Sequence, residues 1–176
     1  MYDRHIVLDL EFAPVPKRLR KLLGMSNEII QIGAVMLDSA YRKIGTFSTL
    51  VKPEYITSLH PEITKLTGIR EQDLEEAPLL SEALEKFFAW VGQGRIRFYS
   101  WSDSDQIQFQ AECMVKGFRF PFYRWSDFQK IYGRLFLTLE MTLSGLLRAT
   151  PSTKVLSCGI SASSQPNRII KGRIQS

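Results

Sequence analysis

"HIVLDLEF", residues 5–12, carries two carboxylates inside an apolar run near the start of a 176-residue chain. A short run rich in branched apolar residues predicts a buried strand. Side chains alternate across a strand, so Asp9 and Glu11 share one side of it. Two ionised groups at that spacing repel, and burying them without a partner costs several kcal/mol. No Lys or Arg lies within the run. A divalent cation answers the repulsion, and hard oxygen donors suit magnesium or manganese. The plainer alternative is an edge strand with both acids in water.

The strand heads a series. "EIIQIGAVMLD" (28–38) and "KIGTFSTLVKP" (43–53) read as two more strands, the second with Ile44, Thr46, Ser48 and Leu50 on one side. "SAYR" between them suits a hairpin turn, so the sheet starts antiparallel. "PVPKRLRKLLGMSN" (14–27) opens on the breakers Pro14 and Pro16 and then carries four basic residues in the next five positions. From residue 60 the period changes. Ile63, Leu66 and Ile69 recur at three, and Leu80, Leu84, Phe87, Phe88 and Val91 make the apolar face of a helix from Leu80 to Val91, closed by Gly92 and Gly94. "RIRFYS" (95–100) predicts a fourth strand, and "SDSDQIQFQAECMVKG" (102–117) a helix stopped at Gly117. "YRWSDFQKIYGRLF" (123–136) and "LTLEMTLSGLLRAT" (137–150) read as two further helical stretches. The class is α/β, with a mixed sheet covered by helices.

"YSWSDSDQIQF" (99–109) again sets acids just past an apolar strand, at the start of a helix. Asp103 and Asp105 both suit a first helical turn, through capping and the helix dipole. The ends of sheet strands are also where α/β sites collect. One carboxylate from this stretch beside Asp9 and Glu11 gives a three-acid metal site.

Composition sets the frame. Apolar content of 44% and charged content of 23% are ordinary for a soluble globular domain. No run approaches the ~20 apolar residues of a membrane span, and the N-terminus lacks the pattern of a signal peptide. Cys113 and Cys158 are too few for a disulfide framework and fit a reducing cytoplasm. The net charge of +5 lies in the tail: residues 1–140 hold 18 basic and 18 acidic residues. Arg148, Lys154, Arg168, Lys171 and Arg173 follow, with no acid after Glu140. That tail is either a phosphate-binding segment or, more plainly, a solvated one.

With these segments in order, the chain resembles the DEDDh family of 3'-5' exonucleases, and within it the branch of the histone-mRNA exonucleases. "IVLDLEF", "NEIIQIGAVMLD", "FSTLVKP", "HPEITKLTGI" followed by "DLEEAP", and "YSWSDSD" carry the likeness over residues 4–140. The resemblance implies a ribonuclease H-like fold, antiparallel at its start and then parallel. Asp9 and Glu11 match the first motif. Asp105 matches the second-motif acid, because Phe109 stands four positions on; Asp103 is the fallback. The resemblance also implies that Leu10, Glu11 and Phe12 border the terminal nucleotide and that Leu66 and Thr67 shape its pocket. It implies two bound ions, magnesium or manganese, bridging the scissile phosphate. The expected partner is the 3' end of a single-stranded RNA or DNA, held by phosphates and stacking.

The family's third motif, a His with an Asp five residues on, is missing. The only histidines are His5 and His60, both upstream of its place. The fit ends at Ala149, so residues 1–150 read as an incomplete exonuclease-like domain with its C-terminal helix altered or absent. Residues 151–176 read as a basic, Ser-rich, poorly ordered tail. A C-terminus replaced by unrelated sequence, as a shifted reading frame produces, accounts for the abrupt stop; an inactivated natural relative is the other account. Two functions stand: an impaired metal-dependent exonuclease, or a non-catalytic nucleic-acid or protein binding module of the same fold. His60 reads as a loop residue, His5 as a partly buried strand residue, and Trp90, Trp101 and Trp125 as packing.

Overall fold

β1 (Arg4–Pro14) is the middle strand of five in the computed structural model, which describes residues 1–119 and 123–136. β2 (Asn27–Asp38) and β3 (Lys43–Leu50) add to one side of it, both antiparallel to their neighbours. β4 (Ile96–Ser100) and β5 (Arg124–Asp127) add to the other side, both parallel. The order β3-β2-β1-β4-β5 is a mixed sheet, antiparallel at its start and then parallel, as the family resemblance implies.

Alternation along β1 divides its side chains. Ile6, Leu8 and Leu10 are buried against the helices, with Ile29, Ile32, Ala34 and Met36 of β2 beside them. The helices are α4 (Leu80–Val91), through Leu80, Leu84, Phe87 and Val91, and α5 (Ser104–Val115), through Phe109 and Cys113. Val7 and Asp9 face the opposite way and are exposed, and Glu11 is half-buried on the same side. One face is buried against the helices while Val7 and Asp9 on the other are exposed, and that contrast fixes the register of the strand. A smaller cluster at the far end of β1 packs Ala13 and Ile30 on Ile63 of α2 (Pro61–Thr67), Leu74 of α3 (Glu71–Glu75) and Ile69 of the turn between them.

Three local expectations change. The stretch 14–27 is more than a break. Pro16 stands just before a short helix, α1 (Lys17–Leu23), which Gly24 closes at φ 65°, because Pro suits the entry to a helix as well as it breaks one. Residues 124–127, expected as helix, form β5, and the helix begins only at residue 128. A four-residue parallel edge strand is too short to show its own period, and pairing to β4 decides it. Finally, Leu66 does not share the face of Ile63 and Ile69: it is 65% exposed. α2 ends at Thr67 and Gly68 turns the chain at φ 78°, so Ile69 reaches the cluster from outside the helix. The stretch 137–150, the expected boundary at 150 and the tail lie outside the described residues.

No helix among the described residues is long and apolar enough to cross a membrane.

Candidate active site

The pairing of β1 with β4 runs from Arg4↔Ile96 to Val7↔Tyr99, while β1 itself continues to Pro14. Beyond Val7 that edge of β1 offers backbone groups with no β4 partner, and a strand amide must be satisfied somewhere. α5 supplies the acceptor. Asp105 Oδ1 takes the N–H of Leu10 at 3.2 Å. The acid of the helix is thereby bonded to the residue that separates Asp9 from Glu11.

Asp105 is 6% exposed. Burial is the largest influence on its carboxyl and raises its pKa; the Leu10 amide opposes that, and the negative charges of Asp9 and Glu11 raise it further, to about 6. The charges of Asp9 and Glu11 are thus felt at Asp105. Asp103 takes another direction. It stands at the N-cap of α5 and its carboxylate meets Lys130 Nζ at 3.1 Å, an ammonium it shares with Asp127 at 3.0 Å.

A polar stripe runs up the buried side of α5 from Asp105. Gln108 donates to the carbonyl of Asn27 at 2.8 Å and to Glu112 at 3.0 Å. Glu112 accepts the N–H of Ile29 at 2.7 Å, beside the β-bulge where Glu11 faces Gln31 and Phe12 faces Ile29. One turn further, Lys116 lies 2.8 Å from Glu28, 2.9 Å from Glu54 and 3.0 Å from Glu112. Glu28 in turn accepts the amides of Glu54 and Tyr55 at 2.7 and 2.9 Å. Burial pulls the Lys116 ammonium down, but Glu112, Glu28 and Glu54 outweigh it and its pKa is raised. Sequence reading missed this cluster. Its signals were Glu28 in an otherwise apolar strand and the Glu112–Lys116 spacing of four on one helix.

The other expected residues are placed as follows. Leu10 is buried in the core, so its side chain faces the helices and its amide faces Asp105. Phe12 packs at the margin of the same core. Leu66 stands exposed on α2, and the Thr67 hydroxyl donates to the carbonyl of Ile63 at 2.8 Å and accepts the Ile69 amide at 3.1 Å. His60 caps α2, accepting the Glu62 amide at 3.4 Å. His5 is buried with Nδ1 2.9 Å from the Tyr99 hydroxyl, and its ring lies against Tyr41. Trp90 packs on Phe47 and Phe87, Trp101 on Phe128 and Tyr132, and Trp125 on Phe98.

In kind, three carboxylates are the donor set of a hard divalent ion. In placement, no group of three or more His, Cys, Asp or Glu side chains among the described residues is set to hold a metal ion.

The sequence profile of the family described as Exonuclease (RNase T) matches residues 6–126. An 84-residue stretch is 40% identical to the DNA polymerase III PolC-type of Caldanaerobacter subterraneus subsp. tengcongensis, covering 48% of this chain and 6% of that protein. The 3'-5' exoribonuclease 1 of Rattus norvegicus is 24% identical over 147 residues, covering 77% of this chain and 41% of that protein. The chain therefore spans less than half the length of these relatives. Among solved structures, the nuclease domain of 3'hExo, a DEDDh family member bound to rAMP, superposes with a TM-score of 0.66 at 21% identity, over 77% of this chain and 71% of that one. Cell-death related nuclease 4 gives 0.65 at 19%, over 89% of this chain and 52% of that one. These two likenesses are of fold.

Proposed function

Because the chain belongs to the exonuclease family, we propose that it works on the 3' end of a single-stranded RNA or DNA, with Asp9, Glu11 and Asp105 as its acidic centre. The observation that carries this reading is the Asp105–Leu10 bond. It ties an acid on α5 into the segment of β1 that bears the other two, and the Leu10 amide needs only an acceptor, which a neutral side chain would supply without the cost of burying a charge. Such a set repels a phosphodiester, so the reading includes magnesium or manganese, for which Asp9, Glu11 and Asp105 would be the protein donors once drawn closer than they stand here. Bound there, a divalent ion would supply charge neutralisation and polarisation of the phosphoryl oxygen. Phe12, exposed Leu66 and Thr67 are the candidates to border the terminal nucleotide.

The same reading makes the chain a weak hydrolase. No His follows His60, and no acid follows Glu140. His60 is occupied at a helix cap and His5 is buried against Tyr99. Loss of a positioned base costs about 100- to 10,000-fold. Incubation of the full chain with 5'-labelled single strands of RNA and of DNA, with magnesium or manganese, is expected to give slow shortening from the 3' end. Asp9→Asn and Asp105→Asn should each remove it. Shortening that survives both substitutions overturns the acidic centre. Robust shortening that survives His60→Ala overturns the impairment.

A further inference from the structure

α1 is a helix without an evident structural reason. It buries no residue. Its sequence, KRLRKLL, has no acid in the first turn, where a carboxylate would help. Lys17 lies four residues from Lys21 and three from Arg20, and Arg18 three from Lys21. Like charges at these spacings each oppose a helix by about 0.2–0.5 kcal/mol. Both ends of the excursion are nonetheless pinned. Val15 and Met25 are buried, the Val15 amide donates to the Ser26 carbonyl at 3.0 Å, and Arg20 Nε donates to the Val15 carbonyl at 2.8 Å. The fold holds a set of mutually repelling cations in a fixed place.

Elsewhere on the surface several exposed cations find acids, while others among the described residues, such as Lys43, Lys65 and Lys86, take part in no salt bridge. Arg42 pairs with Asp38, Arg70 with Asp73, Arg95 with Asp3 and Lys130 with Asp103. Among the described residues, Lys17, Arg18 and Lys21 take part in no salt bridge. Their position is specific too. α1 begins six residues after Glu11 along the chain, a reach of at most ~20 Å even if fully extended. A centre of three carboxylates repels the polyanion it is read to receive, and fixed cations beside it offset that repulsion and raise the local concentration of substrate.

We propose that α1 grips the phosphodiester backbone of the single strand whose end is presented to Asp9, Glu11 and Asp105. This rests on the reading of that centre as a strand-end site. A backbone grip carries no base preference, and each phosphate neutralised on a single strand contributes about 0.7 to the slope of log affinity against log salt. Arg20, which also ties the helix to Val15 just past β1, is left in place in the test.

The test measures binding of a short fluorescent oligo-uridine by anisotropy over a range of salt concentrations. It compares the full chain with a Lys17→Ala/Arg18→Ala/Lys21→Ala variant and with a Lys43→Ala/Lys86→Ala control; near-UV circular dichroism checks the folding of each. The expected result is a slope shallower by about 2 in the triple variant, three charges at about 0.7 each, and a slope unchanged in the control. If the full chain binds and the triple variant keeps its slope, the proposal fails while the strand-end reading stands. If the control flattens as much, the grip is diffuse and the proposal fails. If the full chain binds no oligonucleotide at any salt, both readings fail together. An unchanged slope with lost binding to phosphatidylserine vesicles assigns α1 to an anionic lipid surface instead.

Discussion

Asp105 accepts the backbone N–H of Leu10, the amide that lies between the two acids of β1. Two segments 95 residues apart in sequence are joined there by one hydrogen bond. Its cause is a mismatch in strand length. β1 outruns β4, and the first turn of α5 takes over the edge that β4 leaves.

The first prediction follows from the charge of Asp105. Its pKa is raised from 3.8 to about 6, by burial first and then by Asp9 and Glu11. The folded chain therefore holds this proton more tightly than the unfolded one. Stability falls as pH rises between those two values, and the penalty is complete above the upper one. Asp105→Asn keeps an acceptor for Leu10 and removes the charge. Near pH 8 it should gain up to about 3 kcal/mol, roughly two pKa units at 1.36 kcal/mol each, and near pH 4 it should gain nothing. Urea unfolding at both pH values measures this. A variant less stable than the parent near pH 8 contradicts it.

Lys116 is the keystone of the buried cluster. Lys116→Met leaves Glu28 and Glu112 facing each other without a cation, which should cost about 3–5 kcal/mol. Adding Glu112→Gln to it should recover part of that loss, since the repulsion goes with the charge. Chemical denaturation of both variants decides it; a double variant weaker than the single one by a further full step shows that the charges were not coupled.

His5 titrates out of the ordinary range. Burial, and then the charge of Arg97, lowers its pKa below 6.5. The unfolded chain takes up this proton first, so stability is complete above about pH 6.5 and declines as pH falls below that value. Proton NMR should show the His5 ring protons titrating below pH 6.5. His5→Phe should flatten the stability profile on the acid side; a profile that keeps its slope rules the residue out as the cause.

Gly92 closes α4 at φ 69° and ψ −166°, a region open essentially to Gly. A Cβ there would come within 3.0 Å of Arg4 Nη1, the nitrogen that donates to the Val91 carbonyl at 2.7 Å. Gly92→Ala should cost about 1–3 kcal/mol by thermal or urea unfolding. An unchanged midpoint would mean that the loop relaxes freely.

The strands β1, β2 and β4 and the helix α4 were legible because each carries an apolar pattern that matches its buried face, whereas β3 was legible by its alternation although none of its residues is buried. Leu80 to Val91 came out at the residue level, since its apolar stripe and closing Gly92 agree. The polar stripe of α5 was not legible. Gln108 and Glu112 look like surface residues on a helix, and only the strand backbones that they meet explain their burial. β5 was misread for a related reason: Arg124–Asp127 has four residues, and its partner β4 rather than its own pattern makes it a strand. Of the candidate centre, Asp9 and Glu11 could be read from alternation. The preference for Asp105 over Asp103 came from likeness to a family. In the structure Asp105 reaches β1, whereas Asp103 meets Lys130.

A strand with neighbours on both sides is among the last parts of a sheet to open in the native state. Asp9 and Glu11 lie beyond that doubly paired part of β1: past Val7 only β2 pairs with it, and the amide between them is covered by a helix on the side that β4 leaves. If the first turn of α5 lifts, Leu10 alone becomes exchangeable with deuterium while its neighbours stay protected. One resonance therefore reports whether the three acids are assembled, separately from whether the sheet is folded.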